Sequence, residues 1–144
     1  MKNSKSKKIF YVDDDPDDRL FFEHALIESE TSTVLFDSAD ALLNALTTAN
    51  ELPDIIFTDL NMPKKDGYEL VEEIRSHPSF DGIPIIIVST SSAIAGIDRC
   101  FRLGATLYLT KTGAMAALRK SLENILKIDW LQFKRDRSNF VLRY

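Results

Sequence analysis

The stretch Ile9-Phe-Tyr-Val-Asp13-Asp-Asp-Pro-Asp-Asp18-Arg-Leu-Phe21 decides the fold. Its first four residues, Ile9 to Val12, are β-branched or aromatic, the composition of a strand buried on both faces. The apolar run stops at aspartate, and five of the six residues from Asp13 to Asp18 are acidic. Asp15 followed by Pro16 reads as an N-cap with proline at the first helical position. Asp17 and Asp18 then fall in the first helical turn, where the helix dipole favours acid and a solvated face explains them. A strand therefore passes through a short acidic turn straight into a helix.

The same pattern recurs along the chain. Val34-Leu-Phe36, Ile55-Ile-Phe-Thr58, Ile85-Ile-Ile-Val88 and Thr106-Leu-Tyr-Leu109 are further strand candidates. Segments of helical period alternate with them. Their apolar sides carry Leu20, Phe21, His24, Ala25 and Leu26 in the first, then Ala41, Leu42, Ala45 and Leu46 in the second. Leu70, Val71 and Ile74 mark the third, and Ile94, Ile97, Phe101 and Leu103 the fourth. Ala117, Leu118, Leu122, Ile125 and Leu126 mark the fifth. Ser38 precedes the second helix, Gly104 sits where the fourth should stop, and Pro53 and Pro84 punctuate the entries to strands three and four. Five β–α pairs in alternation predict an α/β domain, a doubly wound parallel sheet with helices on both faces. The pattern occupies residues 7–127, leaving 1–6 as a flexible N-terminal tail and 128–144 as a C-terminal extension.

Composition agrees with one globular domain. The chain has 144 residues, 44% hydrophobic and 28% charged, with a net charge of −4. No apolar run approaches the length that spans a bilayer, so no membrane association is expected. The polar, lysine-rich start lacks the apolar core of a secretory signal, and Cys100 is the single cysteine. Both features point to a cytoplasmic protein without internal disulfides.

In an open parallel sheet, ligands bind beyond the carboxyl ends of the strands. Strand one ends in Asp13-Asp14, strand three in Asp59, strand four in Ser89-Thr90 and strand five in Lys111; strand two ends off to the side in Asp37-Ser38. Three carboxylates gathered without compensation repel, and one tends to keep a proton. Mg²⁺ resolves this, because it takes a few carboxylate oxygens together with waters and a phosphate oxygen. A carboxylate is also a competent nucleophile toward phosphorus. Lys111 and the Ser89 hydroxyl supply charge and a hydrogen bond for the equatorial oxygens of a transferring phosphoryl group.

With Val12-Asp13-Asp14-Asp15-Pro16, Asp59-Leu60-Asn61-Met62-Pro63, Asp66-Gly67-Tyr68-Glu69-Leu70, Pro84 to Thr90, Gly104-Ala105 and Tyr108-Leu109-Thr110-Lys111, the chain resembles the receiver domain of bacterial two-component response regulators. It is similar in size to the stand-alone chemotaxis and phytochrome regulators. The resemblance implies a flavodoxin-like (βα)5 fold with five strands in the order 2-1-3-4-5. It implies that Asp59 is the phosphoacceptor and that Asp13, Asp14, Asp59 and the main-chain carbonyl of Asn61 hold Mg²⁺. Ser89 with Thr90 and Lys111 would bind the phosphoryl group, and Tyr108 would be the switch aromatic. A sensor histidine kinase or phosphotransfer protein would donate the phosphoryl group, and a downstream protein would read it, with no DNA-binding output domain. One position departs from the pattern: proline usually follows the lysine, in a cis bond, and here Thr112-Gly113 follows it.

The remaining residues have plainer readings. His24 is expected to pack on a helix side, Cys100 to serve packing, and the lysines at 2, 5, 7 and 8 to form a solvated tail. The extension carries Trp130, Leu131, Phe133, Phe140, Val141, Leu142 and Tyr144, too much apolar surface to leave in water. One reading continues the fifth helix through Trp130 and Phe133 and turns at Ser138-Asn139 into a short strand. It would pack on its own domain, on a kinase, or on a second copy as a homodimer. The negative charge and the lack of room for a helix-turn-helix argue against nucleic acid. Asn61 stands where a hydrolase would place its general acid. The chain is therefore expected to be no enzyme toward external substrates, and to catalyse only its own phosphorylation and slow autodephosphorylation.

Overall fold

The structure is a computed structural model that describes residues 6–142. Its strands are β1 (Lys7–Val12), β2 (Thr31–Phe36), β3 (Ile55–Thr58), β4 (Ile85–Ser89), β5 (Leu107–Thr110) and β6 (Val141–Leu142). The helices between them are α1 (Pro16–Ala25), α2 (Ala39–Thr48), α3 (Gly67–Arg75), α4 (Ile94–Leu103) and α5 (Met115–Leu126). All strand pairs are parallel, in the order β2-β1-β3-β4-β5-β6. The doubly wound, flavodoxin-like sheet is as expected; the sixth strand corrects the count of five.

Successive strand residues face opposite sides of a sheet, and the two cores follow that alternation. Ile9, Tyr11, Ile55, Phe57, Ile86, Val88, Leu107 and Leu109 pack with Phe22, Leu122 and Ile125 under α1 and α5. Phe10, Val12, Ile56, Ile85 and Ile87 pack with Leu42, Leu46, Leu70, Ile74 and Ile97 under α2, α3 and α4. The apolar runs of the central strands, and the full burial of β3 and β4, follow from this. Edge strand β2 alternates in exposure instead, and its polar start, Thr31 to Thr33, hid its full length from the apolar reading.

Helix ends obey their sequence signals. The Asp15 side chain accepts from Asp17 N, and Ser38 Oγ accepts from Ala41 N at 3.2 Å. Gly104 closes α4 at φ 108°, with Ala105 N donating to Cys100 O at 3.1 Å. Cys100 is buried, as a packing residue should be. The outer face of α1 departs from expectation: His24 is exposed and Leu20 is 62% exposed, because Phe22, Ala25 and Leu26 carry the burial. Lys7 and Lys8 are also not tail. Both belong to β1, where Lys8 N donates to Asp54 Oδ2 at 2.7 Å. Lys2 and Lys5 lie outside the described residues.

The extension turns away from the helix that precedes it. α5 ends at Leu126 rather than running on through Phe133. Asp129 accepts from Leu131 N at 3.1 Å, a local bond that competes with helix continuation. Trp130 and Phe133 meet edge to face at 5.2 Å, partly buried against the α1–α5 side of the core, while Leu131 is 93% exposed. The chain then crosses the sheet edge. Arg135 donates to the carbonyls of Ala105 and Phe101, and Arg137 pairs with Asp98 at 2.7 Å. After a 3₁₀ turn at Arg137–Asn139, Phe140 is buried to 1% exposure and its carbonyl accepts from Tyr108 N. The short terminal strand is thus present and sits on β5 of its own domain. Arg143 and Tyr144 of the expected extension lie outside the described residues.

Phe140→Ala is expected to cost about 3–5 kcal/mol, the range for emptying a buried aromatic site. Urea denaturation of the variant against wild type measures it; a loss below 1 kcal/mol would mean that the strap contributes nothing to the core.

Candidate metal and phosphoacceptor site

The carboxyl ends of β1, β3 and β5 bring together the residues that the sequence placed there. Asp13 is fully buried, Asp59 is 9% exposed and Asp14 faces solvent. Carboxylate oxygens of these three lie within 4.8 Å of one another. From β5, Lys111 Nζ reaches Asp13 Oδ2 at 3.1 Å and Asp59 Oδ1 at 3.9 Å. Ser89 is buried at the end of β4, its Oγ accepting from Ser91 N at 3.2 Å, and Thr90 beside it is exposed. Asn61 lies in the exposed loop two residues beyond Asp59. Asp37 and Ser38 stand apart, Ser38 occupied as the α2 cap. The Lys111–Thr112 bond is trans, since no described peptide bond is cis.

Backbone bonds fix the acidic frame. Asp59 N donates to Val12 O at 3.1 Å, which ties Asp59 to the end of β1. Leu60 N donates to Asp59 Oδ1 at 2.8 Å. Among the described residues no hydrogen bond falls on Asp59 Oδ2. Gly67 allows the start of α3 to lie against this segment: a Cβ there would sit 2.3 Å from Asp59 O.

Three contributors escaped sequence reasoning. Tyr11 read as strand core, yet its hydroxyl donates to Asp13 Oδ2 at 2.7 Å while its ring stacks on Phe22 at 4.0 Å. Asp18 read as a solvated first-turn acid, yet it meets Lys111 Nζ at 3.1 Å. Arg19 donates to the Asp13 carbonyl at 2.8 Å. The available signal was positional: residues in the first turn of α1 stand next to the strand ends.

Charge in this pocket is strained. Burial pushes Asp59 up to about 6; Lys111 pulls it back, and Asp13 and Asp14 add repulsion. For Lys111, burial works against the charged form, but Asp59 and Asp13 outweigh it and hold the ammonium above its ordinary value. Burial and the charge of Asp13 raise the Tyr11 phenol, which stays a donor. Three hard oxygen donors in mutual repulsion suit a divalent cation such as Mg²⁺.

Tyr108 is buried at 1% exposure, and its hydroxyl donates to Ser91 O at 2.7 Å. It links the loop after β4 to the strap, because its ring lies 6.2 Å from that of Phe140.

Residues 9–123 match the response regulator receiver domain. The chain belongs to that family. It is 30% identical over 144 residues to the two-component response regulator ARR5 of Arabidopsis thaliana, covering 93% of this chain and 78% of the relative. The phosphorylated cyanobacterial phytochrome response regulator RcpA superposes with a TM-score of 0.79 at 31% identity, covering 88% of this chain and 95% of RcpA. A Mn²⁺-bound form of the response regulator Rcp1 superposes at 0.75 with 26% identity, covering 90% and 99%. This receiver is thus of the phosphorylation-controlled, two-component signalling kind, and the acidic pocket that its family uses for Mg²⁺ or Mn²⁺ has its counterpart in the aspartate cluster. No helix among the described residues is long and apolar enough to cross a membrane.

A carboxyl held near 6 in the fold, against an ordinary 3.8, binds more proton folded than unfolded between those values. Stability therefore falls as pH rises from about 4 to about 6, and the loss persists above that range. Asp59→Asn is expected to stabilise the metal-free receiver by about 1–3 kcal/mol at pH 7, with the gain gone near pH 4. Chemical denaturation at both pH values checks this; an equal effect at both would contradict it.

Proposed function

We propose that Asp59 accepts a phosphoryl group from the phosphohistidine of a sensor histidine kinase or phosphotransfer protein. The observation that carries the reading is the meeting of Asp13, Asp14 and Asp59 within 4.8 Å, with Lys111 against them. Asp13, Asp14, Asp59 and the main-chain carbonyl of Asn61 would hold Mg²⁺, whose charge offsets that of the carboxylates and the incoming phosphoryl oxygens.

Asp59 attacks phosphorus through a carboxylate oxygen, and the bond from phosphorus to the histidine nitrogen breaks. The ammonium of Lys111 offers charge to one equatorial oxygen and the Ser89 hydroxyl a hydrogen bond to another, with Thr90 at the rim. Asp59 N and Leu60 N anchor the nucleophile so that little reorganisation is needed. The chain acts on no external substrate: it promotes its own phosphorylation and slow autodephosphorylation, and signals in the cytoplasm to a downstream protein. Neither nucleic acid nor membrane is part of the reading.

In Mg²⁺ and acetyl phosphate the receiver is expected to gain one phosphoryl group by intact mass, and Asp59→Asn none. Labelling of Asp59→Asn at the wild-type level would remove the assignment.

A second reading, a constitutive interaction module, draws on Tyr108, which is already buried, bonded to Ser91 O and covered by Phe140. Such a module would keep the same partner affinity and the same solution mass, monomer or homodimer, with and without beryllofluoride. The switching reading expects hydrogen exchange around Ser89–Ser91 and β5 to slow on adding beryllofluoride with Mg²⁺. Identical exchange in both states, with binding of the mimic verified, would favour the module.

A further inference from the structure

We propose that Asp18 is a positioning residue for Lys111, holding the end of its long side chain beside Asp59. The proposal rests on the reading of Asp59 as phosphoacceptor and adds a residue to that machinery.

The backbone of Lys111 is pinned to β4, its N–H donating to Ser89 O at 2.7 Å, but the residues after it give the side chain little guidance. Thr112, Gly113 and Ala114 are exposed, and Gly113 has a φ of 82°. Thr112 Oγ1 is turned to Ala114 N at 3.3 Å, so it supports the start of α5 rather than the lysine. A cavity of about 200 Å³ runs beside the Lys111 stem, with Tyr11, Phe22, Leu109 and Leu118 in its wall. The stem thus has room for other rotamers, and the partners of the ammonium decide among them.

Two carboxylates do so, Asp13 and Asp18, each at 3.1 Å. They are not equivalent. Asp13 Oδ2 also accepts from Tyr11, and Asp13 belongs to the cluster that suits a divalent cation. Asp18 lies outside that cluster, so its charge stays with the lysine when a cation draws on Asp13. It sits in the first turn of α1, behind the Asp15 cap and Pro16, where the helix dipole also favours the carboxylate. An ammonium has three N–H groups; with two directed to Asp13 and Asp18, the third remains for the phosphoryl side, where Asp59 Oδ1 is 3.9 Å away.

Phosphoryl incorporation from acetyl phosphate at saturating Mg²⁺ tests the role in a double-mutant cycle. Asp18→Asn is expected to label about tenfold more slowly than wild type, the size of one lost charge-assisted contact. Asp18→Glu should recover most of the rate, and Asp18→Asn should change nothing further in a Lys111→Ala background. A wild-type rate in Asp18→Asn, or the same loss in the Lys111→Ala background, overturns the proposal. The ¹⁵N-lysine spectrum of the metal-free protein reads placement without phosphorylation. The Lys111 ammonium signal should be slow to exchange in wild type and lost in Asp18→Asn; a signal indifferent to the substitution also overturns it. Wild type that fails to label, or Asp59→Asn that labels, defeats the reading of Asp59 instead, and the ammonium spectrum still decides for Asp18.

Discussion

Asp13 takes its carboxylate into the protein with no exposure to solvent. Three donors meet it there: the Tyr11 hydroxyl, the Asp15 backbone N–H and the Lys111 ammonium. A buried charge without such partners would cost several kcal/mol, so each donor's position is bound up with the fold. Tyr11 requires β1 to present that face to Phe22 on α1. Asp15 N requires the tight entry to α1. Lys111 requires β5 to end level with β1, although β3 and β4 lie between them in the sheet. The strand register and the site are therefore one arrangement.

What the sequence made legible follows from this coupling. Central strands betrayed themselves as unbroken apolar runs, and caps such as Asp15, Ser38 and Gly104 announced helix ends through local chemistry. The acidic strand ends could be aligned once parallel order was assumed. Asp18 was hidden because its partner lies 93 residues away, and Tyr11, whose partner Asp13 is only two residues on, because burial in the strand already accounted for it. A tyrosine in an apolar run and an aspartate in a first helical turn both have sufficient local explanations. The extension misled for a related reason. Helical period persisted past Leu126, but the local bond from Leu131 N to Asp129 decided against it, and the destination of Phe140 was set by a groove made from α4 and β5.

That groove also joins the strap to the loop after β4. Tyr108 touches the chemistry through Ser91 in the loop after β4, and touches the strap through its own backbone and ring. Phe140 also meets Phe101 of α4 edge to face at 5.2 Å, and Arg135 lies over that same ring. A change in the loop after β4 cannot move Tyr108 without meeting Phe140. Any chain that approached the β5 edge would therefore meet β6 first. Edge strands invite pairing with other chains; here the chain covers β5 with its own two-residue strand.

The same repulsion that disfavours the metal-free site is what gives it a use. Three aspartates, at 13, 18 and 59, share one lysine with Asp14 close by, and burial, with repulsion from Asp13 and Asp14, holds Asp59 near 6 against the pull of Lys111. An arrangement optimised only for stability would replace Asp59 or Asp14 with a neutral residue. Keeping them leaves a site that suits a divalent cation, whose charge would offset the repulsion among the carboxylates. Lys111 stands closer to Asp13 and Asp18, at 3.1 Å each, than to Asp59, at 3.9 Å. A tighter pair with Asp59 would stabilise the protein but, on the proposed reading of Asp59, would blunt the nucleophile. Sharing the ammonium between Asp13 and Asp18 keeps its charge beside Asp59 without such a pair.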